Sequence, residues 1–379
     1  MNITEPLVML GGLSPERFMQ RHWQKKPLLV RQAFPGIRPP QSRSQLFALA
    51  ASDDVESRFV QRQQDRWTVR HGPFVRRSLP AFGTPGWTLL VQGVDLHVPA
   101  AHALMSRFRF VPDARLDDLM ISWASDGGGV GPHLDSYDVF LIQVQGRRRW
   151  RIGRVPDTTL VDGLPLKILR HFEPEQEWLL EPGDMLYLPP RWGHDGIAEG
   201  ECMTCSVGFR VPSAEGLSVD LFQRLADTED DGAPLRLYRD PTQPAVQTPG
   251  QVPTSLLEFA RLAVQRRLQE PDALERALGE ALTEPKPRVW FETREGDDLA
   301  SGVALHRRTR MMYDDRHLFV NGEAFRIGGR DARLLRVLAD RRALDRADCA
   351  ALSGDAQAVL LQWLASGWLV PLDPKEPRP

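Results

Sequence analysis

GGGVGPHLDSYDVFLIQVQGRRRWRIG (residues 127–153), followed by EPGDMLYLPPRWGH (residues 181–194), is the stretch that decides the fold. In an extended strand, residues two apart project to the same side. His133 and Asp135 therefore point together, about 6–7 Å apart along the chain, close enough to converge on one ion. Leu134 turns away into packing. A third ligand has to come from elsewhere. Glu181–Asp184 turns the chain, Met185 to Pro189 reads as a strand that Pro190 ends, and His194 follows at a fixed offset. The interval of 61 residues between His133 and His194 leaves room for intervening strands. Two histidines and one carboxylate on one face, with other coordination positions open, select non-haem Fe(II) and oxygen chemistry. A lone His-x-Asp would say little; the turn, strand and double proline ahead of His194 make it part of a site.

The strand that follows sharpens this. Alternation puts Arg148, Trp150 and Ile152 on one face and Arg147, Arg149 and Arg151 on the other. The face with the apolar residues is the expected interior, so Arg148 is a guanidinium pointed inward. It needs a carboxylate partner. Either an acidic residue inside the barrel or a dicarboxylate cosubstrate, held by a bidentate pair, meets that need. The outward arginines read as a solvated basic face.

From Trp67 to Val211 the chain reads as short strands between Gly/Pro turns: WTVRHGPF, WTLLVQGV, DLMISWAS, DVFLIQVQG, RRWRIG, DMLYLPP and MTCSVGFRV. Such a series suggests a sandwich or barrel. The order of the two metal-site blocks is that of cupin-type double-stranded β-helices. Ahead of it, residues 14–23 read as a helix capped by Ser14 with Pro15 in its first turn, and Leu28-Leu29-Val30 as a buried strand. Past Pro212 the pattern changes. Residues 216–227 read as helical and 228–253 as an acidic, then proline-rich connector. Residues 254–282 are helical again, with an apolar stripe of Leu257, Ala260, Leu262, Val264 and Leu268, broken at Pro271. From Pro287 onward come the strands RMMYDD and LFVNGEAFRI, with Asn321-Gly322 as a hairpin turn. Helices at Ala332–Asp340, Arg346–Leu352 and Ala356–Ser366 and a strand at Trp368–Val370 complete a winged-helix-like α+β unit. The expected boundaries are 1–212, 213–283 and 284–379. The presumed recognition helices carry few basic residues, which argues for a structural or dimer-supporting role and against direct DNA binding.

The bulk composition excludes little. The chain has 379 residues, with 48 basic and 50 acidic side chains and a formal charge of −2. Nothing global demands nucleic acid or anionic lipid. Three cysteines are too few for a disulfide framework, so a reducing cytoplasm is the default expectation. The N-terminus has no basic region and carries Glu5, which is unlike a signal peptide. No apolar run of about 18 residues predicts a membrane span. Cys202 and Cys205 are expected to be packing residues, because positions three apart in a strand face opposite ways. The Gly127-Gly128-Gly129 run precedes a strand, so it reads as a tight turn by the site and not a phosphate loop. The remaining histidines lack a carboxylate in a matching frame and read as structural or exposed.

HWQKKPL (residues 22–28), the two blocks above and SVGFR (residues 206–210) together resemble the JmjC-type ribosomal oxygenases. The resemblance is dense over residues 1–212 and looser beyond. It implies a mainly β catalytic domain (a cupin/JmjC double-stranded β-helix), a helical dimerisation segment and a winged-helix-like end. It implies Fe(II) held by His133, Asp135 and His194, and Arg148 paired with the distal carboxylate of 2-oxoglutarate. Ser122, on the strand leading to the site, is a further cosubstrate candidate. Thr204 is another, standing where close relatives are expected to carry asparagine. The activity implied is O2-dependent protein hydroxylation with release of succinate and CO2. The implied target is C3 of an arginine in large-subunit ribosomal protein sixteen, with a histidine of another ribosomal protein as the alternative. An arginine substrate asks for acidic or polar groups at the mouth of the site; Asp126, Tyr137 and Asp138 are the candidates. The implied protein is a cytoplasmic homodimer with no membrane contact. Two rivals stand beside this reading: a cupin metalloenzyme that does not use 2-oxoglutarate, against which Arg148 argues, and a non-enzymatic regulator acting through the C-terminal unit.

Overall fold

Two long strands organise the part of the molecule that carries the site. The computed structural model describes residues 2–64, 66–227, 236–296 and 298–372. The described chain divides into one unit built on Met1–Val211 and another that begins at Pro212. Residues 228–235 of the expected connector lie outside the described residues.

In the first unit the strands are β1 (Leu28–Val30), β2 (Ser57–Gln63), β3 (Arg66–His71), β4 (Trp87–Val91), β5 (Leu116–Ala124), β6 (His133–Leu134), β7 (Val139–Arg154), β8 (Gln176–Leu180), β9 (Met185–Leu188) and β10 (Trp192–Phe209). Their order is β1-β9-β7-β10-β5-β4-β2-β3, with β6 added to β10 and β8 to β7. Reading β7 as two short strands misses its continuity. It runs 16 residues and its partner β10 runs 18. Both change partners midway: Val139–Ile142 pair with β9, whereas Arg148–Ile152 pair with β8. The change falls at Gly146 and Gly200, both at positive φ (62° and 73°). A side chain on Gly146 would also run into the carbonyl of Glu201. Glycine is needed here because the backbone is left-handed and the neighbouring strand is too close for a Cβ.

Helices α1 (Pro15–Arg21), α2 (Arg43–Leu49) and α3 (Pro99–Ser106) pack on this sheet. The cap of α1 is as expected: Ser14 Oγ accepts the Arg17 N–H at 3.3 Å. The core is aromatic. Phe18 meets Tyr187 edge-on at 4.9 Å, Trp87 and Trp123 lie 4.5 Å apart, and Phe140 sits 5.8 Å from Phe209. Offset and edge contacts of this kind add about 0.5–1.5 kcal/mol each beyond the buried area. They hold rigid the sheet on which the site is built.

In the second unit, α4 (Ala214–Asp227), α5 (Thr254–Gln269) and α6 (Ala273–Thr283) precede the strands β11 (Val303–Leu305), β12 (Met311–Tyr313), β13 (His317–Val320) and β14 (Glu323–Arg326). Helices α7 (Gly329–Arg341), α8 (Arg346–Ala350) and α9 (Gly354–Ala365) and strand β16 (Leu369–Pro371) follow, with β15 (Ala343–Leu344) between α7 and α8. The Asn321-Gly322 hairpin forms as read, with φ of 49° and 90° at its two turn residues, as a type I′ turn requires. Leu318, Val320, Leu335, Leu338, Leu360 and Trp363 make this unit's core. The apolar stripe on α5 does not enter it. Leu257, Val264 and Leu268 are 49%, 53% and 44% exposed, and no residue of α5 is buried.

Candidate metal centre

Strand β6 pairs with β10 so that His133 lies directly opposite His194. His194, which follows Pro190 at a fixed offset, is the third residue of β10. The two rings are 4.1 Å apart, and His194 Nε2 lies 3.5 Å from Asp135 Oδ2. One donor atom from each of His133, Asp135 and His194 falls within 4.8 Å of the others.

Each imidazole is oriented the same way. Nδ1 of His133 meets the carbonyl of Gly131 at 2.8 Å, and Nδ1 of His194 meets that of Trp192 at 3.0 Å. A carbonyl only accepts, so each Nδ1 carries the proton and each Nε2 keeps a free lone pair. Such outer partners fix the tautomer that a metal needs. Burial and the neighbouring His133 push His194 down to about 4, so it stays neutral at physiological pH. Asp135 accepts the Tyr137 hydroxyl; burial and that carboxylate push the phenol above the usual tyrosine range, so it remains a donor. The donor set of two imidazoles and one carboxylate on one face fits a first-row metal with open positions.

Arg148 points inward, as its parity predicts, and is 5% exposed. Its Nη1 donates to Ser122 Oγ at 3.0 Å. Its Nε and Nη2 are buried and find no protein acceptor among the described residues. No internal carboxylate takes them, although a buried guanidinium asks for one. Ser122 in turn donates towards the Thr204 carbonyl at 3.5 Å, and the Thr204 hydroxyl donates to Gln143 Oε1 at 2.9 Å. Trp150 lies on the same inner face, its ring 5.9 Å from His194.

The other candidates separate. Tyr137 stands at the triad and is 38% exposed. Asp126 is at an exposed turn, where Oδ1 accepts the Gly200 N–H at 2.8 Å; it holds the bend of β10. Asp138 is fully buried and does not reach a mouth. Its carboxylate accepts Tyr187 Oη at 2.6 Å and Gln24 Nε2 at 3.2 Å, with Arg115 3.6 Å away. The triple glycine does make a close turn: a Cβ on Gly129 would lie 2.6 Å from the Gly196 carbonyl. Arg149 and Arg151 do not form a free basic face. They pair with Glu177, at 2.8 and 3.2 Å, and Arg149 also with Glu199. Cys202 and Cys205 are buried and unbridged.

Sequence reasoning passed over Asp118, whose charge reaches the Tyr137 hydroxyl. Alternation along β5 could have found it, since Asp118 lies two steps of two from Ser122 on the same strand. Asp118 Oδ2 accepts the Gly93 N–H at 2.9 Å.

Comparison with known proteins identifies the domains that carry this arrangement. Residues 103–217 match the JmjC domain, and residues 266–370 match a ROXA-like winged helix. The chain is 39% identical over 328 residues to the ribosomal protein uL16 3-hydroxylase of Escherichia coli, covering 81% of this chain and 84% of that protein. It is 27% identical to a probable ribosomal oxygenase of Haemophilus influenzae, covering 94% and 96% of the two chains. The structure of an Escherichia coli ribosomal oxygenase in complex with cobalt and 2-oxoglutarate superposes with a TM-score of 0.79 at 32% identity, covering 94% and 98%.

Proposed function

This chain belongs to the JmjC-domain ribosomal oxygenases, and on that premise we propose that it is an Fe(II)- and 2-oxoglutarate-dependent hydroxylase of a ribosomal protein, acting at C3 of an arginine in uL16. One observation carries the cosubstrate: Arg148 is buried on the inner face, and two of its nitrogens meet no protein acceptor among the described residues. A dicarboxylate reaching from the triad supplies the missing acceptors as a bidentate pair.

His133, Asp135 and His194 hold the metal on one side and leave its other positions to ligands. The Gly131 and Trp192 carbonyls aim the two imidazoles, so little reorganisation is needed on metal entry. Arg148 anchors the far carboxylate of 2-oxoglutarate. Ser122 keeps the guanidinium in place, and Thr204 acts through its carbonyl beside Ser122. Iron held by this triad, with 2-oxoglutarate on Arg148, would supply O2-dependent hydroxylation of an unactivated C–H bond, with succinate and CO2 as co-products. The protein's part is aim and exclusion of water. At the open side the face of the partly exposed Tyr137 ring suits a guanidinium, which favours arginine as the target.

We assign catalysis to residues 1–212, self-association to 213–283 and a supporting role to 284–379. The exposed stripe of Leu257, Val264 and Leu268 is the proposed homodimer contact, since an apolar helix face of this kind is covered in solution. Leu257→Glu with Val264→Glu should convert a dimer to a monomer by light scattering. The place of action is the cytoplasm, where ribosomal proteins are made. Mass spectrometry of ribosomal proteins from cells with and without the gene tests the target. Loss of one oxygen atom from a uL16 arginine is expected when the gene is deleted. An unaltered uL16 and a changed second ribosomal protein would move the assignment to that protein.

A further inference from the structure

We propose that Trp150 is a cosubstrate-binding residue, its indole N–H donating to a carboxylate oxygen of the dicarboxylate that Arg148 anchors. The inference rests on the 2-oxoglutarate reading above.

Along the inner face of β7 the order is Arg148, Trp150, Ile152. Across from them on β10 stand Ala198, Gly196 and His194. A dicarboxylate that joins the metal triad to Arg148 has to pass Trp150. The facing strand carries small residues here, and the indole itself fills the room that Gly196 leaves. Gly196 sits under the indole, where a Cβ would come within 2.7 Å of Trp150 Cη2, and Ala198 follows. The clash is with the six-membered ring (Cε3, Cζ3, Cη2), so that edge packs on β10 and the pyrrole edge with Nε1 is turned away from the Gly196 backbone.

Trp150 is 5% exposed, and its Nε1 is buried with no acceptor among the described residues. Leaving such a donor unpaired costs about 1–3 kcal/mol. Trp87 Nε1 is also without an oxygen or nitrogen acceptor, but Trp87 is enclosed by aromatic rings, with Phe47 perpendicular to it at 6.0 Å and Trp123 at 4.5 Å. Aromatic faces are weak acceptors for an N–H. Trp150 packs in an apolar cluster with Ile152, Leu180 and Leu186, whose aliphatic groups accept no hydrogen bond; His194 lies 5.9 Å from its ring and the guanidinium of Arg148 5.8 Å from its centroid. Two orphaned donors, Arg148 and Trp150, thus stand side by side on one wall. One anionic ligand would satisfy both.

The test uses the full chain loaded with Zn(II), a diamagnetic stand-in for the iron. Calorimetry gives the affinity for 2-oxoglutarate of the wild type and of Trp150→Phe, which keeps an aromatic ring and removes the N–H. Loss of a hydrogen bond to a charged group should weaken 2-oxoglutarate about tenfold or more, with Zn(II) affinity unchanged. Independently, the 15N-labelled indole resonance that is absent from Trp150→Phe should move downfield in the wild type when 2-oxoglutarate is added. This second readout holds even if Trp150→Phe folds poorly, since Trp150→Tyr assigns the same signal by its absence. Wild-type affinity in Trp150→Phe, or an indole signal that ignores 2-oxoglutarate while calorimetry shows binding, overturns the proposal and leaves the oxygenase reading intact. Failure of the wild type to bind 2-oxoglutarate at all overturns both.

Discussion

Arg148 Nη1 donates to Ser122 Oγ at 3.0 Å, which makes a hydroxyl on β5 the anchor of a guanidinium on β7. The bond fixes one arm of the fork and leaves the other nitrogens to face the interior. Arg148→Ala should raise the KM for 2-oxoglutarate about a hundredfold or more, as truncation of one member of a buried charge pair does. Arg148→Lys keeps the charge but loses the fork, and should fall between. Ser122→Ala removes one charge-assisted bond and should cost about tenfold. Steady-state kinetics of succinate formation across varied 2-oxoglutarate check the ranking. Equal effects for all three variants would speak against the pairing.

Asp138 sits three residues past Asp135 yet does a different task. Tyr187 donates to it at 2.6 Å and in turn accepts the Gln24 N–H at 2.8 Å. Tyr187→Phe leaves a buried carboxylate short of a donor and a backbone N–H short of an acceptor, and should destabilise the protein by about 2–3 kcal/mol. Urea unfolding measures this. The affinities for metal and 2-oxoglutarate should stay within about twofold, because neither Asp138 nor Tyr187 touches the site.

His306 makes the second unit acid-sensitive. Burial and the charges of Arg307, Arg308, Arg342 and Arg294 push it down to about 4. Its Nδ1 also accepts the Arg308 N–H at 3.3 Å, which only the neutral ring can do. The folded state therefore disfavours the proton that the unfolded chain takes up near the ordinary value of about 6.5. Its stabilising effect is complete above about pH 6.5, declines as pH falls towards 4, and is gone below that. The loss is on the order of 2 kcal/mol. Urea unfolding at pH 7, 5.5 and 4.5 should show that His306→Gln flattens this slope. An equal slope in the variant would assign the acid sensitivity to other groups.

The inner face of β7 was legible because strand alternation is strict. The step of two from His133 to Asp135 runs one residue past the end of β6, and that step, like the parity that sends Arg148 and Trp150 inward, needs only the local chain. The hairpin at Asn321-Gly322 and the Ser14 cap were legible for the same reason. What depends on distant partners was not. Asp138 looks like a pocket residue beside Asp135, but Tyr187 and Gln24 are brought to it by strand order and by the left-handed turn at Gln24 (φ 56°). The outward arginines read as a basic face until Glu177 and Glu199 arrive from β8 and β10. Pro189-Pro190 marks the end of β9 in the sequence, whereas the pairing that starts β10 at Trp192 and takes in His194 comes from β6 and β7.

The central claim is that this triad and Arg148 turn 2-oxoglutarate and O2 into a hydroxyl group on uL16. The most direct measurement incubates the purified, iron-loaded protein with uL16, 2-oxoglutarate and 18O2, and follows both succinate and the mass of the uL16 arginine peptide. The account predicts one 18O atom on that arginine, succinate in matching amount, and neither product with His133→Ala. Full iron occupancy with 2-oxoglutarate unconsumed and the peptide mass unchanged would contradict it.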